Sequence, residues 1–146
     1  AGRRINEGMS KFLADKSINL ITKSKINLAE AKITVMGITF KENCPDFRNT
    51  KIVDTINILK SHGCEIRVTD PWASKEEVKK YFNIDLIDFE KLPKSDLVII
   101  AVAHDSFKLI SVDKWKSLLN SNGIIIDVKS ILEKKLFLNN FNYWSL

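Results

Sequence analysis

Lys32-Ile33-Thr34-Val35-Met36-Gly37-Ile38-Thr39-Phe40-Lys41-Glu42-Asn43-Cys44-Pro45-Asp46-Phe47-Arg48-Asn49-Thr50 opens as a β-branched apolar run and closes at the start of an amphipathic helix. Between the two lies a loop carrying Lys41, Asp46 and Arg48. A strand, a cationic loop and a helix N-terminus in succession make an anion site, because backbone N–H groups and the positive helix end face the same place as the cations. Ile33 to Ile38 is apolar at nearly every position, as expected of a parallel strand covered on both faces. The helix that follows is expected to start at Asn49 or Thr50, either of which can cap it. Ile52, Val53, Ile56 and Leu59 form its buried stripe.

Working outward, His62-Gly63 ends that helix, with Gly63 at the left-handed position after the last turn. Glu65 to Thr69 reads as a strand stopped at Asp70-Pro71. Ser74-Lys75-Glu76-Glu77 matches a capping box and opens a short helix to Phe82. Ile84 to Ile87 reads as a minor strand and Phe89 to Leu92 as a turn or short helix. Leu97-Val98-Ile99-Ile100-Ala101-Val102 is the most apolar run and the expected centre of a sheet, which places His104 at a strand's C-terminal end. Asp113 to Leu119 is expected to be helical, Asn122-Gly123 a turn, and Ile124 to Lys129 a strand. Upstream, residues 2–24 carry Ile5, Met9, Phe12, Leu13, Leu20 and Ile21 at helical spacing, and Ser24 to Ala31 reads as a linker. Strands alternate with helices, so the class is α/β: a Rossmann-like three-layer domain with a mainly parallel sheet, preceded by an N-terminal linking helix. Right-handed crossovers gather the strand C-termini on one edge, where ligands bind. Lys41, Arg48, Asp70, His104 and Lys129 all fall on loops there.

The bulk numbers set limits. A chain of 146 residues suggests one domain, able to bury roughly 70% of its unfolded surface without staples. No apolar run approaches the roughly 20 residues that span a bilayer, and the N-terminus does not read as a signal peptide. A membrane partner is therefore not expected. Cys44 and Cys64, with no metal-ligand spacing, read as free thiols in a reducing compartment, so a cytoplasmic location is expected. The net charge of +5 mildly favours an anionic partner. The lysines are scattered, with few aromatics among them, which argues against a nucleic-acid surface. The chain opens at Ala1 inside a helical pattern, as a piece of a longer protein would.

A dinucleotide fingerprint needs G-x-G-x-x-G in the first turn, and this turn has Gly37 alone. Asp70 stands where a ribose-binding carboxylate would, or simply stops a strand beside Pro71. Lys41 and Arg48 suit a phosphate better: Arg forks onto two oxygens, Lys supplies a point charge, and Asp46 can orient one of them. The same trio also reads as a solvated surface loop, and Lys129 at another strand end tilts it toward a site. No nucleophile–base pair is visible, and no catalytic or metal-binding residue is assigned. His104 is a candidate ligand contact or a structural group.

Gly37 to Thr50 closely resembles the hallmark of the C-terminal, UDP-binding domain of the UDP-glucose/GDP-mannose dehydrogenase family. Four other pieces agree in order: Gly2 to Met9, Thr69-Asp70-Pro71, Ala103-His104-Asp105-Ser106-Phe107, and Asp127-Val128-Lys129 with the Tyr143-Trp144-Ser145-Leu146 terminus. The Asn-Cys-Pro-Asp wording looks most like the UDP-N-acetyl-hexosamine 6-dehydrogenase branch. The resemblance implies residues 1–31 as a linking helix and linker from a central domain, and 32–146 as the nucleotide-sugar-binding domain. It implies a full-length homodimeric enzyme that oxidises a UDP-sugar C6 alcohol to a uronate for surface polysaccharide precursors. NAD would be bound mainly by a domain outside this chain. By position, Phe40, Lys41 and Lys129 resemble substrate contacts and Arg48 a residue reaching the cofactor. Ser130 replaces a glycine often found after the basic residue. The chain by itself is expected to bind UDP and oxidise nothing. The alternative is a stand-alone nucleotide-binding or regulatory module, which further upstream sequence with a cofactor fingerprint and a cysteine motif would exclude.

Overall fold

A computed structural model of the chain describes the backbone of residues 2–146 and the side chains of residues 8–146. Strand β1 (Lys32–Met36) shows how the layers arise. Ile33 and Val35 join a hydrophobic cluster on one face of the sheet, and Met36 joins a second cluster on the other. β2 (Glu65–Thr69), β3 (Ser95–Ile100), β4 (Leu119–Asp127) and β5 (Asn142–Ser145) complete an all-parallel sheet in the order β2-β1-β3-β4-β5. The α/β, Rossmann-like, three-layer expectation is therefore met.

Helices α1 (Gly2–Lys23) and α2 (Ile52–Ser61) cover the first face. Ser10, Leu13, Ala14, Ser17 and Ile21 recur at helical spacing along α1 and are all buried. Met9 and Phe12, read as part of that apolar face, are about half exposed, at 46% and 47%. Ile5 lies outside the described side chains. α3 (Lys75–Phe82) adds Val78 to the first cluster. On the second face, α4 (Asp105–Lys108), α5 (Val112–Leu118) and α6 (Lys134–Asn140) contribute Phe107, Trp115, Leu118 and Phe137.

Several local expectations hold. Gly63 follows α2 with φ +92°. Ser74 caps α3, its hydroxyl accepting from the Glu77 N–H. Others are corrected. β1 ends at Met36, not Ile38, because Gly37 turns the chain with φ +101°. A Cβ there would lie 2.6 Å from Val102 Cβ, so the turn and the close approach both require glycine. The helix after the loop starts at Ile52 with Lys51 at its cap position, so neither Asn49 nor Thr50 caps it. The minor strand reduces to one bridge, Val68 to Leu86. The linker holds a 3₁₀ turn at Leu28–Glu30, capped by Asn27. The Asn122-Gly123 turn is present but lies inside β4: residues 120–123 loop out, register with β3 jumps from Ser95↔Leu119 to Leu97↔Ile124, and the chain folds back so that position 123 meets Leu119. Gly123 lacks a side chain there because a Cβ would meet Leu119 Cβ at 2.7 Å. Helix α6 and strand β5 were not foreseen at all.

Candidate functional site

β1 has β2 on one side and β3 on the other, so the connections leave the sheet in opposite directions between β1 and β3. This reversal is where an open parallel sheet forms a crevice beyond its strand C-termini. A cleft of about 290 Å³ lies there. Its walls come from Thr39, Phe40 and Lys41 after β1, Ala101 to Ala103 after β3, and Val128 and Lys129 after β4. Met9, Ser10 and Leu13 of α1 close the opposite side, and Asn49 to Ile52 bring the N-terminal end of α2 to it. Lys41 and Lys129, from separate crossover units, thus line one cavity, as the sequence reading required.

The cleft is cationic. Lys41, Lys51 and Lys129 line it, and Glu42 is the one acidic residue on its wall among the described residues. Lys51 makes no side-chain capping bond, so α2 presents its positive end to the cleft without a side chain satisfying its first-turn N–H groups. Sequence reasoning missed Lys51, since a lysine at the start of an amphipathic helix carries no signal of its own. It also missed the contribution of α1. Ser10 Oγ donates to the Lys51 carbonyl (3.2 Å) and Thr55 Oγ1 to the Ser10 carbonyl (3.1 Å), which clamps α1 against the first turn of α2.

Asp70 and His104 reach the same sheet edge but do not line the cleft; they lie beneath its loop. Both side chains are fully buried, with His104 Nε2 and Asp70 Oδ2 3.0 Å apart. Asp70 Oδ2 also accepts from the Ile38 N–H (2.7 Å) and the Thr39 N–H (3.2 Å). Its Oδ1 accepts from the Trp72 (2.7 Å) and Ala73 (3.0 Å) N–H groups. Burial alone would raise this carboxyl's pKa, but the bonds from His104, Ile38 and Trp72 outweigh it and hold the group below its ordinary 3.8. The Asn43 N–H donates to His104 Nδ1 (3.0 Å), which fixes the ring tautomer with its proton on Nε2. Nε2–H then faces both Asp70 Oδ2 and Thr39 Oγ1 (3.1 Å), and Thr39 Oγ1 donates to the Lys41 carbonyl (3.0 Å). Of the two readings of His104, ligand contact or structural group, the geometry supplies the second.

Lys129 is held differently. Asp127, fully buried at the end of β4, accepts from the Ile131 N–H (3.0 Å) at Oδ1, and from the Leu132 N–H (2.9 Å) and Tyr143 Oη (2.5 Å) at Oδ2. Burial and the neighbouring Asp127 carboxylate push the Tyr143 phenol well above its ordinary range. Ser130 adopts φ +53°, the left-handed region, which gives a physical reason for glycine at this position.

Arg48 turns away from the cleft. Its guanidinium forks onto Asp46, Nε to Oδ1 at 3.1 Å and Nη2 to Oδ2 at 3.3 Å, and 72% of the side chain is exposed. The Arg48 side-chain bond, then its backbone N–H, hold the Asp46 carboxyl below its usual range. Buried Phe47 sets this direction by packing edge-on to Tyr81 and Phe82. The Phe40 N–H closes the loop on the Asp46 carbonyl at 2.7 Å. Cys44 and Cys64 are free thiols, and burial raises the Cys64 pKa.

Residues 34–134 match the model of the UDP-glucose/GDP-mannose dehydrogenase family, UDP binding domain. The chain belongs to this family. Within it, the chain is 42% identical over 132 residues to protein CapL of Staphylococcus aureus, covering 90% of this chain and 31% of CapL. It is 34% identical to the UDP-N-acetyl-D-glucosamine 6-dehydrogenase of Pseudomonas aeruginosa, covering 92% of this chain and 32% of that protein. The solved structure of the Pyrococcus horikoshii UDP-D-ManNAc dehydrogenase aligns at TM-score 0.80 and 27% identity, over 98% of this chain and 32% of that one. The chain therefore spans about a third of the length of the relatives it matches.

A dinucleotide cofactor does not fit the first βα connection in the usual way. That connection runs from Gly37 to Lys51, and the space beside its strand-end glycine is filled by Val102. Its residues suit a diphosphate approached by lysines, not a pyrophosphate lying on a glycine-rich turn.

Proposed function

We propose that this chain is the substrate-nucleotide half of a split active site in an NAD-dependent UDP-sugar 6-dehydrogenase. The observation that carries the reading is the convergence of Lys41, Lys51 and Lys129 with the α2 N-terminus on one cleft at the strand-order reversal. A diphosphate bridges such cations, each charge-assisted bond contributing about 1.5–3 kcal/mol, at the lower end for exposed lysines. Phe40, 57% exposed on the same wall, offers an aromatic surface to the nucleoside. Anchoring the diphosphate here holds the sugar C6 alcohol where the rest of the enzyme oxidises it to the carboxylate. NAD, bound elsewhere, supplies the hydride acceptor. Arg48 extends from the loop on the side away from the cleft and is the group proposed to meet that cofactor. The UDP-N-acetyl-hexosamine class of substrate, a homodimeric full-length enzyme and a cytoplasmic location complete the proposal, and the names of the relatives support the substrate class.

Calorimetric titration of the 146-residue chain with UDP tests the reading. Lys41→Ala and Lys129→Ala are each expected to weaken binding about tenfold, near 1.4 kcal/mol. A Lys41→Ala chain that binds UDP as tightly as the unchanged one overturns the assignment. The chain alone is expected to form no NADH with any UDP-sugar, and detectable NADH formation contradicts the split-site reading.

A further inference from the structure

We propose that His104, fixed by Asp70, is a positioning residue: its Nδ1 lone pair sets the conformation of the 38–43 loop and so aims Lys41 into the cleft. The role of Lys41 rests on the reading above; the positioning itself rests on geometry alone. His104 has no exposed surface, so it cannot touch a ligand in the cleft. Yet each of its polar atoms is engaged with the loop or with the carboxylate that holds the loop. Nδ1 accepts the Asn43 N–H at 3.0 Å. Nε2 faces Thr39 Oγ1, whose hydroxyl grips the Lys41 carbonyl, and Asp70 Oδ2, which itself accepts the Ile38 and Thr39 N–H groups. Lys41 is thus flanked by two residues, Thr39 and Asn43, bonded to opposite nitrogens of one buried ring.

The loop needs such a hold. Asn43 sits at φ +54°, in the left-handed region, which asparagine tolerates better than other non-glycine residues but still at some backbone cost that its bonds offset. Asn43 Oδ1 accepts the Asp105 N–H at 3.1 Å, tying the same residue to the start of α4. The ring is seated by Phe107, edge-on at 5.3 Å. Among the described residues, the one charged group bonded to the ring is Asp70; its other bonded or ring partners from the β1 loop and α4 are Thr39, Asn43 and Phe107.

Two substitutions separate positioning from simple loss of packing. In His104→Asn the side-chain oxygen falls near the place of Nδ1, which keeps an acceptor for the Asn43 N–H and gives up the Asp70 contact. In His104→Gln the terminal amide falls near Nε2, which keeps a donor toward Asp70 and leaves the Asn43 N–H without an acceptor. Both lose the ring, so both are expected to lower the melting temperature similarly. Only His104→Gln is expected to speed hydrogen exchange of the Asn43 amide tenfold or more over His104→Asn, and to weaken UDP binding about tenfold. Should either fail to fold, Thr39→Val removes the hydroxyl clamp on the Lys41 carbonyl and is expected to weaken UDP binding three- to tenfold, with only a modest fall in melting temperature.

Equal exchange rates in the two His104 variants, or a Thr39→Val chain with unaltered UDP affinity, overturn the proposal. An unchanged chain that shows no UDP binding counts against the cleft reading instead. The exchange comparison, made without nucleotide, still decides the positioning.

Discussion

The two loops that bring Lys41 and Lys129 to one cleft are secured in opposite ways. The Lys129 turn is pinned by Asp127, two residues before it, which accepts backbone N–H groups just downstream and the Tyr143 hydroxyl of β5. The Lys41 loop has no buried carboxylate of this kind in its own sequence. Asp46, its only aspartate, is partly exposed and, among the described residues, accepts only from Arg48, through the backbone N–H and the guanidinium. Its hold comes from Asp70 at the end of β2 and His104 beyond β3, the two strands flanking β1. A short turn after a strand can be fixed by the strand's own last side chain. A long loop has to borrow its fixings from neighbouring strands, and so depends on the whole sheet edge.

The sharpest break of this comparison is Asp127→Ala. It removes the acceptor for two backbone N–H groups and a buried phenol at once, and is expected to cost about 4 kcal/mol in chemical denaturation. Asp70→Asn is expected to cost less, about 2 kcal/mol, because the amide keeps one acceptor oxygen and nearly the same shape. Its pH signature sharpens the contrast. The Asp70 pKa is depressed in the folded chain, so its contribution is complete above 3.8 and is lost as pH falls toward the folded value. Denaturation curves between pH 5 and about 2 are expected to show a smaller acid loss in Asp70→Asn than in the unchanged chain. The smallest effect is Ser130→Gly, which relieves a left-handed φ at the cost of the bond from Ser130 Oγ to the Leu146 carbonyl. It is expected to raise stability by about 0.5 kcal/mol. A loss there would mean that the hydroxyl, not the backbone, governs the turn.

The sequence disclosed most where one local rule decided the outcome. β1 and β3 are apolar along most of their length because both faces are covered, and Gly63 and Ser74 carry end signals that any context respects. It disclosed least where pairing overrode local preference. β5 is four residues with Asn and Ser at its ends, and pairing with β4 makes it a strand. At the cleft, Lys41 and Lys129 were legible because strand ends and crossover handedness gather them on one edge. The direction of Arg48 was not, since it follows from Phe47 docking on α3. Nor was the partnership of Asp70 with His104, which joins two loops that only the sheet order makes adjacent.

The spacing of these fixings along the chain has a bearing on how the molecule is assembled. Asp127 reaches residues four, five and sixteen positions away, whereas the Asn43–His104 bond spans 61 positions. Loop closure is entropically cheaper over short separations, so the contacts of Asp127 cost the unfolded chain less to close than the Asn43–His104 bond does. Of the two lysines that share the cleft, Lys41 is therefore the one whose placement carries the larger entropic cost in the unfolded chain.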